Sequence, residues 1–103
     1  MPKPLEALEQ SIRDEDPDQV EDALIDASEL GFTDKYVSVL ILLIGETWHY
    51  KHEDIALVLQ ELGDPRAIDA LYKAAHARLK YLDYDEDFAL ARKCTWALAD
   101  IGT

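Results

Sequence analysis

Cysteine occurs once in this sequence of 103 residues, and proline and glycine four times each. Lysine and arginine together number ten, against 22 aspartates and glutamates. Each shortage excludes something. The lone Cys94 has no partner for an intrachain disulfide, which suits a reducing compartment. The deficit of base leaves a net charge of −12. Phosphate backbones and anionic bilayers repel such a surface, so neither nucleic acid nor membrane is an expected partner. The longest apolar run, residues 39–44, falls far short of the roughly 20 residues that span a bilayer. Residues 1–6 show no basic-then-apolar leader pattern, and a cytoplasmic location is expected. No stretch alternates apolar and polar residues with β-branched enrichment, so no strand is expected.

With 49% hydrophobic residues, the chain can build a core without metal or disulfide staples. Its length sets one domain, residues 1–103. The few prolines and glycines act as punctuation. Pro2, Pro4, Pro17 and Pro65 sit where helices begin, and Gly31, Gly63 and Gly102 each follow a Leu or Ile where a helix ends. Between them the apolar spacing predicts six helices, at about 4–13, 18–30, 34–44, 51–62, 65–81 and 86–101. The expected inward residues include Leu5, Leu8 and Ile12; then Val20, Ala23, Leu24, Ala27 and Leu30. Further along they include Ile55, Val58, Leu59 and Leu62; Ile68, Leu71, Tyr72, Ala75 and Leu79; and Leu90, Cys94, Ala97 and Ile101. The third helix is apolar almost all round and must be covered on several sides.

The helices also repeat. The segment from Glu21 to Gly31 aligns with that from Glu53 to Gly63, and the Leu-x-x-Ile-Gly ending recurs at Leu98 to Gly102. The chain therefore divides into three helical hairpins, each closing in a glycine. Residues 62–71 (LGDPRAIDAL) resemble the junction between HEAT repeats, of the short subclass also found in phycobilin lyases. Residues 91–102 (ARKCTWALADIG) resemble that subclass's second helix. The first hairpin departs from the pattern, with Phe32-Thr33-Asp34 in place of Asp-Pro-Arg. The expected architecture is thus all-α: a right-handed α-solenoid of three stacked antiparallel hairpins. A lone hairpin cannot bury its apolar stripe, and a stack can.

Acid is unevenly placed. Residues 1–34 carry 11 acids and two bases, residues 35–82 six of each, and residues 83–103 five acids and two bases. In a hairpin stack, the turns within hairpins share one edge. Here they would gather Asp14, Asp16 and Asp18; then Trp48 and Tyr50; then Asp83, Tyr84, Asp85, Glu86 and Asp87. Aromatic side chains anchor interfaces, and carboxylates beside them suit a partner's Arg and Lys. Trp48 and Tyr50 read equally well as caps tucked onto the core. Asp22, Asp26 and Asp54, with Glu61, Trp96 and Asp100, should face outward from the second helices and extend the acidic surface. All but Glu61, Trp96 and Asp100 form the candidate protein-binding set.

Patterns suggestive of chemistry fall short. Glu46-x-x-His49 is one copy of a motif that di-iron bundles use twice. His49 and His52 lack a second ligand cluster, and His76 stands alone. The Asp83/Asp85/Asp87 and Asp14/Asp16/Asp18 series begin like calcium loops, but lack the glycine and terminal glutamate. Cys94 lies on an inward face and reads as packing. No catalytic residue, metal or cofactor is expected. The expectation is an acidic binding module for a basic protein, an immunity-type inhibitor of a toxin enzyme, acting as a monomer or weak homodimer. A general adaptor and, further off, a chromophore-lyase-like enzyme are the alternatives.

Overall fold

The computed structural model describes residues 3–76 and 89–101, and all regular structure among them is helical. Six α-helices follow in order: α1 (Pro4–Asp14), α2 (Pro17–Leu30), α3 (Val37–Ile44), α4 (His52–Leu62), α5 (Ile68–Ala75) and α6 (Ala89–Ile101). Short 3₁₀ turns, Asp34–Tyr36 and Pro65–Ala67, lead into α3 and α5.

Local chemistry explains the boundaries. Pro4 and Pro17 open their helices, where the missing N–H costs nothing. The Asp16 carboxylate accepts from the backbone N–H groups of Asp18 and Gln19 at 3.1 and 3.2 Å, capping α2. Asp64 does the same for Arg66 at 2.9 Å before α5. Gly63 ends α4 at φ 66°, a left-handed conformation that glycine adopts without a Cβ penalty. At the end of α5 the expected and observed structures part. His76 Nδ1 donates to the Tyr72 carbonyl at 2.9 Å, and the His76 amide bonds Lys73 O, closing the helix at Ala75. The rest of the expected fifth helix lies outside the described residues.

Packing follows the hairpin pairing. α1 packs on α2, α3 on α4 and α5 on α6; α4 also packs closely on α6, and α3 touches both α1 and α5. The eight-residue α3 is therefore covered on most sides: Val37, Val39, Leu40, Leu43 and Ile44 are buried, while Leu42 is 58% exposed. One continuous core links Leu8, Val20, Leu40, Leu43, Ile55, Leu59, Leu71 and Cys94. Burial raises the Cys94 thiol pKa to about 11, keeping it protonated and unreactive at neutral pH.

Two residues expected inward are instead exposed. Leu30, the last residue of α2, is 76% exposed, although Ala27 in the same turn is fully buried. Tyr72 is exposed and lies against the His76 ring at the surface, with centroids 4.7 Å apart. Its hydroxyl gains water there at little apolar cost.

Candidate functional site

Three side-chain contacts fix how the second helices of the hairpins lie. Lys51 Nζ, at the entrance to α4, is 3.5 Å from Glu21 near the start of α2. Lys93 Nζ, early in α6, is 3.9 Å from Glu53, early in α4. Near the other ends, the Gln60 amide bonds Asp100. The starts of α2 and α4 therefore adjoin, as do the starts of α4 and α6. Glu21, a turn into α2, thus lies beside the 45–51 turn on one edge. The third wide turn, with Asp83, Tyr84, Asp85, Glu86 and Asp87, lies outside the described residues.

The acids on that edge take different tasks. Asp14 is exposed at the end of α1 and accepts from Gln10 at 3.0 Å. Asp16 is half-buried and committed to capping α2. Asp18, Asp22 and Asp26 are exposed along α2. Asp54, exposed on α4, shares Lys51 with Glu21 at 3.8 Å. Trp48 is tucked back: it is half-buried against the core, donates Nε1–H to Glu46 at 3.0 Å and meets His49 edge-on. Tyr50 is 62% exposed.

The aromatic turn is held by its histidines. His49 and His52 are both fully buried, and their rings stack at 4.0 Å, 11° from parallel. His49 Nε2–H donates to the Leu43 carbonyl, while its Nδ1 accepts from the Lys51 amide at 3.1 Å. His52 Nε2–H donates to the Glu46 carbonyl. Leu43 O, in the last turn of α3, also accepts from the Glu46 amide at 3.1 Å, and Glu46 O lies two residues past the helix end. Desolvation holds the His49 pKa below the ordinary value and brings His52 down to about 4. The rings are neutral structural caps. The Glu46 carboxylate serves Trp48, and among the described residues no three His, Cys, Asp or Glu side chains converge as metal ligands.

A concave feature of the described surface lies beside this turn. Whereas α4 and α6 pack closely, α2 and α4 stand apart over a cleft of about 560 Å³. Leu24, Ile25, Phe32, Leu57, Val58 and Leu62 supply its apolar lining. Lys51, between Glu21 and Asp54, closes one end, and Glu61 marks the other. Ile25 and Leu57 are about half exposed, at 51% and 48%. Sequence reading missed this apolar lining as a site, although a signal exists. Ile25 and Leu57 each stand six residues before the glycine that ends their helix, and both are exposed large hydrophobics. Exposed apolar residues at matching positions of two helices that line one cleft mark a surface kept apolar.

Comparison with protein-family models, with curated proteins and with solved structures finds no match. The functional reading rests on the geometry. Among the described residues no helix is long and apolar enough to cross a membrane.

Proposed function

We propose that this chain is an acidic protein-binding module for a basic protein, in its sharpest form an immunity-type inhibitor that occupies the cationic cleft of a toxin enzyme. One observation carries the reading: a cleft with an apolar lining, flanked by Glu21, Asp54 and Glu61, on a chain of net charge −12. Carboxylates around an apolar centre reproduce the layout of protein interfaces, a dry core inside a polar rim. The long-range field of a strongly acidic protein accelerates encounter with a basic one. The exposed acids of α2, Asp18, Asp22 and Asp26, add to that field from outside the cleft lining.

The proposed scaffold is a HEAT-like solenoid of three hairpins, right-handed and cytoplasmic. Its support is the hairpin pairing, the stacking of α3 on both α1 and α5, and the cross-helix contacts of Glu21, Glu53 and Gln60.

The test is capture from a source lysate at low salt, followed by purification of the captured protein and titration across salt. The expected outcome is one dominant basic protein, bound at nanomolar affinity, with association slowing steeply as salt rises. Several partners at micromolar affinity would mark a general adaptor. Recovery of no basic protein would refute the proposal.

A further inference from the structure

We propose that the occupant of the α2–α4 cleft is an amphipathic, cationic helix of the partner, lying along the two helices with its apolar face down and its Lys or Arg side chains over Glu21, Asp54 and Glu61. The inference rests on the binding reading above and names the element that would be seated.

Elsewhere in the molecule, neighbouring second helices close on each other, as α4 does on α6. Between α2 and α4 that contact is opened into the cleft, and half-exposed Ile25 and Leu57 line it. The cleft runs from Glu21 and Lys51 at one end to Phe32 and Leu62 at the other, about the whole of α4. At 1.5 Å per residue, the 11 residues of α4 span roughly 16 Å, which a partner helix of about three turns matches. Apolar residues of that helix three and four apart would meet Leu24, Ile25, Leu57 and Val58 in succession.

The charge of the occupant is read from the cleft mouth. Glu21 and Asp54 stand on different helices, yet both approach one ammonium group, that of Lys51, at 3.5 and 3.8 Å. The walls thus already hold a cation between them. Glu61, at the far end of the lining, makes no ion pair with a Lys or Arg of the described residues. Two carboxylates against one ammonium leave the mouth net negative, and Glu61 adds to it; a neutral amphipathic helix would leave that charge unanswered, and an acidic one would be repelled.

The experiment uses the intact chain and three synthetic peptides of about 14 residues, the length of four helical turns. The first carries Leu along one helical face and Lys or Arg beside it. The second has the same composition with the Leu residues dispersed around the helix. The third keeps the Leu face and replaces Lys and Arg by Gln. Amide shifts in labelled protein and calorimetric titration at low salt are the readouts. The first peptide is expected to perturb the amides of α2 and α4 and to bind about 10-fold or more tighter than either other peptide. Leu57→Asp and Ile25→Ser should each weaken it by about 10-fold or more, while Trp96→Ser, outside the cleft lining, should leave it unchanged. Unaltered circular dichroism and melting of the variants would separate lost binding from lost folding.

Equal binding of the dispersed peptide, shifts away from α2 and α4, or no binding by the first peptide would each overturn the cleft proposal. The two readings fail separately. If the captured basic protein still binds the Leu57→Asp variant at full strength, the cleft proposal fails and the module reading stands. If the Gln peptide binds the cleft as well as the cationic one, the requirement for a basic occupant fails with it.

Discussion

Acid should loosen this protein through two buried imidazoles before most of its carboxylates are protonated. His49 is pinned in one neutral tautomer: Nε2–H donates to the Leu43 carbonyl, and Nδ1 must remain unprotonated to accept from the Lys51 amide. A second proton would set two N–H groups against each other and place charge beside the stacked His52 ring, 4.0 Å away. The charged and titratable groups acting on the pair are Glu46, which favours protonation of His49, and His49, which disfavours protonation of His52. Desolvation outweighs Glu46. The His52 pKa falls from 6.5 to about 4 in the folded chain. A depressed folded value for a base means that the unfolded chain binds the extra proton first. The stabilisation is therefore whole above about pH 6.5, declines as pH falls, and is spent below the folded value near 4. At pH 5 the loss from His52 alone works out to about 2 kcal/mol. The assay is urea unfolding from pH 7.5 to 4.5 on the wild type and on His52→Gln, whose amide keeps a donor for the Glu46 carbonyl. Protonation of the many carboxylates relieves self-repulsion in both proteins and cancels in the difference. The wild type should lose about 2.5 kcal/mol more than the variant over this range. Parallel pH curves would refute the argument.

Other outcomes follow from particular contacts. Leu40→Ala, at a site buried among α3's neighbours, should cost about 2 to 5 kcal/mol, whereas Leu57→Ala in the cleft should cost under about 1 kcal/mol, both by denaturant melting. Asp16→Ala removes the α2 cap and should cost about 1 kcal/mol in the same measurement. Gly63→Ala, at φ 66°, should cost about 1 kcal/mol, while Gly45→Ala, with an ordinary backbone and its nearest neighbour at 3.6 Å, should cost less. Lys51→Met removes the cation between Glu21 and Asp54. It should change stability by under about 1 kcal/mol, yet tighten binding of a cationic peptide and steepen its salt dependence in calorimetric titrations.

Helix positions were legible where proline, glycine and apolar spacing agree at a boundary. Pro17 opens α2, and Gly31 and Gly63 close α2 and α4. The exposure of Asp22, Asp26, Asp54, Glu61, Trp96 and Asp100 was legible for the same reason, since a known inward face defines the outward one. Tyr72 and Leu30 misled because helical spacing assigns a face without saying which of its residues a neighbour covers. The histidine pair was opaque. Its acceptors, Leu43 O and Glu46 O, each lie six residues back, and only the path of the turn brings them to the rings. The cleft was opaque too, because the gap between α2 and α4 is a property of how hairpins settle together. Of the candidate binding residues, Trp48 turned out to be half spent on the core, and Asp16 on a helix cap.

The central helix has a further consequence during synthesis and turnover. Its sequence, VSVLILLI, is uncharged and rich in Val and Ile, which is also the composition of a strand that self-associates in extended form. It is helical here because neighbouring helices cover most of it, not through strong intrinsic preference. Asp34 and Glu46, just outside its ends, act as gatekeepers against aggregation. A ribosome-bound chain that has emerged only as far as α3 would expose this stretch bare. Fragments ending before α4 should therefore precipitate, and the abundance of intact protein in a cell should depend on how promptly α4 and the last hairpin arrive.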